Sequence, residues 1–344
     1  MKTFLREVRL GGDPNADLTV FAVIKDEMFF LPAFLAHYRA LGAGRFVFVD
    51  DRSADGSRDF LAAQPDCTIL ESDHGYGDRL DGLRAGQRWK EALAQGCAGG
   101  RWGLLVDADE FLALDAPALK ALIARLDAQG LSTALAALID LYPETVATVR
   151  RGADQLDLEE EWWFDAGPCV AHDPAEGPPV ALGDGVKGRL ARRFGLMRAE
   201  GERGRLDGLL RRLGRPRPAS FGFKTYKTPL VKVSPELRLH NSHWITPAAA
   251  PPDILPLAHY RFTPDLQRRI PSALASRAYA MESKAYVVYD AILDRLERTG
   301  GSFLFEGSRR FETPADFYAA GAAVDGASAS TQTAGREPDA AHEN

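Results

Sequence analysis

The sequence predicts an α/β protein, a mostly parallel sheet flanked by helices. Three observations carry that expectation. Short unbroken apolar runs, rich in β-branched and aromatic residues, recur between Leu18 and Leu141, as strands buried on both faces require. Stretches of helical periodicity separate these runs, and strands alternating with helices build parallel sheets. Acidic residues stand where two of the runs end, and open α/β sheets bind ligands at the carboxyl ends of their strands.

The elements follow in order. After a charged lead of residues 1–17, Leu18–Ile24 (LTVFAVI) is the first buried strand. Glu27–Leu41 has apolar residues at helical spacing and is stopped by Gly42 and Gly44. Arg45–Val49 (RFVFV) is a second strand running into Asp50-Asp51, and Ser57–Ala63 is the next helix. Cys67–Leu70 is a third strand, Leu80–Gln95 a long helix, and Trp102–Val106 (WGLLV) a fourth strand ending at Asp107. Leu119–Gln129 is a helix closed by Gly130, and Leu135–Leu141 is a strand leading to Tyr142-Pro143. Residues 18–145 thus form one α/β half.

Residues 146–321 form a second, less regular half. Within it, Lys187–Arg217 carries ten Arg and one Lys against three acids. Such a run is ordinarily a solvated face. Its sharper reading is a basic insertion, 187–217, for a phosphate-bearing substrate or for peripheral contact with an anionic membrane surface. Order returns at Lys227–Val233 and Leu255–Phe262, and Ser272–Arg298 gives a C-terminal helical segment. From Ala322 to Asn344 the residues are mostly Ala, Ser, Thr, Gly and acids, so residues 322–344 read as a disordered tail.

Composition narrows the partners. With 45% hydrophobic and 26% charged residues the chain is ordinary for a soluble globular protein, and its net charge of −6 gives no electrostatic reason to expect nucleic acid. Cys67, Cys97 and Cys169 lie far apart and in no CxxC pair, which speaks for a reducing compartment and against a zinc site. No apolar run approaches the roughly 20 residues that cross a bilayer, and no secretory signal opens the chain. The expected location is the cytoplasm, peripheral to the inner face of a membrane if the basic run makes contact.

The chemistry concentrates at Asp107-Ala108-Asp109. Mg²⁺ or Mn²⁺ prefers oxygen ligands and takes one or two carboxylates together with phosphate oxygens. Two Asp residues flanking one small residue in extended backbone point the same way, and the apolar strand before them fixes where they sit. Glu110 adds a third carboxylate, and Phe111-Leu112 returns the chain to the core. A bare Asp-x-Asp is a common surface turn, so the strand before it and the Glu-Phe-Leu after it carry the signal.

Several segments in order share a wider likeness. WGLLVDADEFL resembles the metal-binding segment of GT-A glycosyltransferases of the family 2 type, and VIKDEMFFLPAFLAHYRALGAGRFVFVDDRSADGS resembles the opening of the same group. The likeness covers residues 18–145. Within the superfamily it is closest to the type 4 branch of family 2, which also shows a later Lys-x-Pro-Leu strand, a His-Trp pair and a Leu-Ala-His-Tyr-Arg-like segment. These read here Lys227-Thr228-Pro229-Leu230, His243-Trp244 and Leu257-Ala258-His259-Tyr260-Arg261.

The resemblance implies a GT-A (Rossmann-like) fold and a glycosyltransferase. It would move a sugar from a nucleotide-diphosphate donor to a glycan or lipid-linked acceptor, with inversion and with Mn²⁺ or Mg²⁺ assisting. Asp107 and Asp109 would hold the metal and His243 would be a further ligand. Asp50 or Asp51 would meet the base or ribose, with Lys25 and Glu27 lining the same pocket and Asp107 beside the diphosphate. An inverting transfer needs a base for the acceptor hydroxyl. Glu110, Asp140 and Asp165 remain open for that role and, with Asp109, are the candidate catalytic carboxylates. Trp163, in an aromatic cluster suited to sugar faces, His240 and His259 are candidates for the acceptor side. His259 and the tryptophans also suit a core.

Two other classes compete. A sugar-phosphate nucleotidyltransferase would open with a Gly-rich, basic phosphate loop after the first strand, where this chain has Ile24-Lys25-Asp26-Glu27-Met28. A non-catalytic carbohydrate- or nucleotide-binding protein on the same fold would have less need of both Asp107 and Asp109.

Overall fold

The computed structural model describes residues 4–96, 101–171, 179–182, 185–197, 223–241, 243–246, 253–276 and 280–325. Its centre is a nine-stranded sheet. The strand order is Arg6–Arg9, Cys67–Glu71, Arg45–Asp50, Leu18–Ile24, Trp102–Leu105, Tyr226–Lys232, Thr133–Leu141, Ile254–Tyr260 and Glu110–Leu112. The first three strands of the α/β half and Trp102–Leu105 are parallel neighbours, as are Thr133–Leu141 and Ile254–Tyr260. Tyr226–Lys232 runs antiparallel to both its neighbours, and so do the two edge strands to theirs. The sheet is therefore mixed, with six strands pointing one way and three the other. The carboxyl ends of those six share one edge of the molecule.

Alternation builds the layers. Val20, Ala22, Ile24, Phe46 and Phe48 face a core shared with helices Leu31–Ala40 and Ala116–Ala128. Phe21, Val23, Val47 and Val49 face the opposite side, where helix Ala85–Gly96 places Trp89 and Leu93. Side chains of successive strand residues point to opposite faces, so a continuous apolar run fills both layers at once. A third cluster joins helices Gly185–Arg193, Pro264–Ser276 and Ala280–Thr299 through Leu190, Leu266, Ile270, Ile292, Leu293 and Phe303.

Four expectations need correction. The helix expected from Glu27 begins at Leu31, because residues 27–30 close a turn on the Glu27 carbonyl and Pro32 suits the first helical turn. The helix expected from Leu80 begins at Ala85. Before it, Arg79–Leu80 and Leu83–Arg84 pair as a hairpin through Asp81-Gly82, both at positive φ (48° and 83°). The helix expected over Ser272–Arg298 is two helices, and residues 277–279 lie outside the described ones. The tail begins ordered: Ala322 and Ala323 are buried, and Val324 pairs with Ile254. Residues 326–344 lie outside the description. The lead is also part of the fold, since Arg6–Arg9 forms an edge strand. No helix among the described residues is long and apolar enough to cross a membrane.

Candidate functional site

Strand Leu18–Ile24 delivers Lys25 and Glu27, strand Arg45–Asp50 delivers Asp50 and Asp51, and strand Trp102–Leu105 delivers Asp107 and Asp109, all at the shared carboxyl edge. Thr133–Leu141 and Ile254–Tyr260 bring Asp140 and His259 side by side in parallel register. Lys227 reaches the same edge because the strand that carries it runs the opposite way and starts there. Buried strands end where the chain leaves the core, so polar side chains from distant sequence positions meet here.

The loops after the first two strands are locked to each other. The Asp26 and Ala54 amides donate to Ser53 Oγ (2.9 Å) and Asp26 Oδ1 (2.7 Å), and the Glu27 and Met28 amides donate to Ser57 Oγ (2.9 Å) and Asp55 Oδ2 (2.8 Å). Asp26 and Arg52 both adopt positive φ (55° and 58°) without being glycine, which costs about 1 kcal/mol or more each and persists only where surroundings enforce it. Lys25 Nζ donates to the Asp51 carbonyl at 2.9 Å. The Asp51 carboxylate, buried, accepts from the Tyr76 amide at 3.1 Å and from Arg52 at 3.0 Å. Asp50 is buried beneath Arg58, which spans it (2.6 Å) and Glu71 (2.9 Å). Of the two expected base- or ribose-binding acids, Asp50 is thus a pin for its own loop. Beyond Glu71 a cavity of about 320 Å³ opens, lined by Phe4, Arg6, Glu71, Ser72, Asp73 and His74.

The acidic triplet is a turn rather than extended chain, closed by the Glu110 amide on the Asp107 carbonyl at 3.0 Å. As a result Asp107 and Asp109 do not point the same way. Asp107 accepts from Lys90 Nζ at 2.5 Å and from Lys227 Nζ at 3.1 Å. Glu110, buried, accepts from Lys227 and from the Asp107 amide (2.8 Å). Burial opposes the charge on Asp107, yet Lys227 and Lys90 hold its carboxyl well below the usual range. Glu110 moves the other way, because burial outweighs Lys227 and Asp107 adds repulsion.

Asp109 belongs to a second charged group. It accepts from Arg261 at 2.8 Å and lies 3.3 Å from His259 Nε2, while His259 Nδ1 lies 2.6 Å from Asp140. Lys187 completes the chain with a 2.9 Å contact to Asp140. Burial disfavours the carboxylate of Asp109, but Arg261 and His259 more than compensate and lower its pKa. Asp140 is likewise lowered against burial, by Lys187 and His259. His259 is raised although burial opposes its charge, chiefly through Asp109. Glu27 adjoins this group through Arg269, which also holds Asp265. Burial pushes the Glu27 carboxyl up to about 8 in spite of Arg269, helped by Asp265 and Asp109.

The other expected residues divide. His243 lies on the Asp107 side. Its Nδ1 is 3.1 Å from the Tyr226 carbonyl, and burial, then Lys227 and Lys90, lower its pKa to about 3, so it is neutral. His240 is exposed and contacts Thr246 Oγ1 at 2.9 Å within its own hairpin, away from the acids. Asp165 is clamped by Arg189 (3.0 and 2.9 Å) and the Tyr142 hydroxyl (2.5 Å). Of its aromatic neighbours, Trp162 and Phe164 are core residues, and Trp163 is half-buried against the third cluster. The basic run also begins inward, with Lys187 on Asp140 and Arg189 on Asp165. Its residues 198–217 lie outside the described ones.

A divalent metal is not matched by an assembled set of protein donors. Among the described residues no group of three or more His, Cys, Asp or Glu gathers in a way that could hold one. Both oxygens of Asp107 are bonded to ammonium groups, and Asp109 is bonded to a guanidinium. Sequence reasoning missed Lys90 and Arg269, and it met Lys227 and Arg261 only inside family-like segments and Lys187 only as the start of the basic run, with no role at this edge. The available signal was a lysine on an otherwise apolar helix face, Lys90 with Gly86, Leu93 and Ala94 at helical spacing. A scan against models of known protein families finds no match, and a search of curated proteins finds none.

Proposed function

We propose that this chain is a glycosyltransferase of the GT-A type, moving a sugar from a nucleotide-diphosphate donor to a glycan or lipid-linked acceptor, with inversion. The observation that supports this reading is the meeting of Lys25, Glu27, Asp51, Asp107, Asp109 and His259 at one sheet edge, in the order of the family resemblance, with Asp140 beside them. The locked loops around Asp26 and Arg52 would hold the nucleoside, with Asp51 and Lys25 nearest it. The Asp107 turn would face the diphosphate.

In the transfer, the acceptor oxygen bonds to the anomeric carbon as the bond from that carbon to phosphate breaks. The bonding pair leaves on the phosphate oxygen, and the acceptor proton passes to a carboxylate. A general base works best with a pKa near the working pH; Glu27, pushed up to about 8 by burial, holds its proton at neutral pH and would act as a base only in more alkaline solution. Asp140, held by Lys187 and His259, and Asp165, held by Arg189, are better suited to positioning their partners.

The test is transfer of labelled sugar from UDP-, GDP- and TDP-sugars to glycan and polyprenyl-phosphate acceptors, comparing the protein with its Asp109→Asn and Glu27→Gln variants. Transfer by the parent and its loss in folded variants are expected. Equal activity in all three would remove the assigned site.

A further inference from the structure

Asp107 is a carboxylate with a buried ammonium on each oxygen. Lys90, from the helix on one face of the sheet, and Lys227, from the antiparallel strand in its middle, are each only 3% exposed, while the Asp107 side chain is 38% exposed. The carboxylate therefore stands between the ammonium pair and solvent. Glu110 takes a further bond from Lys227 from below, and neutral His243 adds no competing charge. A divalent cation approaching Asp107 would meet two ammonium groups already bonded to its oxygens. An arriving anion would meet the same groups as attraction, and need only take the place of one side chain.

We propose that Lys90 and Lys227 form an anion clamp for the diphosphate of a nucleotide donor, with the Asp107 carboxylate occupying the phosphate position in the free protein. This deepens the donor reading above and rests on it. The clamp places the positive charge that the departing diphosphate needs in the protein itself, where fixed charges in a partly dry site act strongly. Asp107 then has a different task from a metal ligand. It pairs with the Lys90 ammonium, and shares that of Lys227 with Glu110, until the anion arrives, since unpaired buried charges are strongly unfavourable.

UDP, GDP and inorganic pyrophosphate, titrated calorimetrically with EDTA and with Mn²⁺, test this. The clamp predicts nucleotide affinities that agree within about threefold in the two conditions, a difference of well under 1.4 kcal/mol. It also predicts that Asp107→Asn binds at least as tightly as the parent, since the competing carboxylate is gone. Lys90→Met and Lys227→Met should each weaken binding about tenfold or more. Binding that requires Mn²⁺, or that disappears in a folded Asp107→Asn protein, would overturn the clamp. Should the lysine variants not fold, the EDTA comparison and Asp107→Asn decide alone. Pyrophosphate separates this proposal from the donor reading. Pyrophosphate binding in EDTA without any nucleotide binding would keep the clamp and remove the donor, and absence of both would remove the two together.

Discussion

Replacing Lys187 by Met leaves the Asp140 carboxylate buried with one charged partner fewer. The side chains of Lys187 and Asp140 are 5% and 3% exposed and 2.9 Å apart, so bulk solvent does not reach the contact that is lost. Removing one member of such a pair costs about 3–5 kcal/mol, because the other is left uncompensated. Asp140 keeps His259 Nδ1 at 2.6 Å, which places the expected loss near the low end, about 3 kcal/mol. Met keeps most of the aliphatic stem, and the loss includes the ammonium that lies 5.4 Å from the Phe223 ring centroid, so it reports the charge of Lys187. Adding Asp140→Asn removes the stranded charge and retains an acceptor for His259. The double variant should therefore be more stable than Lys187→Met alone. Urea denaturation with a common slope gives all three values. A cost below about 1 kcal/mol for Lys187→Met, or a double variant less stable than the single one, would refute the account of this chain of charges.

Glu27→Gln should flatten the pH dependence of stability. The folded carboxyl, raised to about 8 from 4.5, keeps a proton that the unfolded chain releases, so this contribution is full below 4.5 and is lost as pH rises toward 8. Thermal melts between those limits check it, and an unchanged slope would contradict it. His37 acts on the acid side: burial lowers it to about 4 from 6.5, so stability falls as pH drops through that window. His37→Gln should weaken that fall. Gly86→Ala would set a Cβ 2.2 Å from the Tyr76 ring, whose backbone amide holds Asp51, while Gly103→Ala would press Phe21 at 2.4 Å away from the site. Both should lose about 1–3 kcal/mol of stability. Only Gly86→Ala should also weaken nucleotide binding in calorimetry.

What was legible in the sequence follows from what local pattern encodes. Leu18–Ile24 reads off residue by residue because a strand buried on both faces needs no partner to be recognised. Glu110–Leu112 is three residues long and becomes a strand only through Ile254–Tyr260, so no local signal marks it. Asp81-Gly82 is a hairpin signal, but helical periodicity extends across it back to Leu80 and masks it. The acids of the site could be found because they stand at strand ends. Their basic partners come from helices and from strands far along the chain. Lys227 lies 120 residues from Asp107, and Lys187 lies on a helix inside what reads as a solvated basic run. The same distance in sequence hides that Asp107 and Asp109 serve separate groups. That division depends on a turn of the backbone, which the extended reading of the triplet did not contain.

Calorimetric titration of UDP-, GDP- and TDP-sugars into the protein, and into its Asp51→Asn and Lys25→Met variants, tests the central claim most directly. Saturable binding of one donor by the parent, weakened about tenfold or more in folded variants, is the expected result. No binding of any donor, or equal binding by all three proteins, would contradict a nucleotide-sugar site at the carboxyl edge of this sheet.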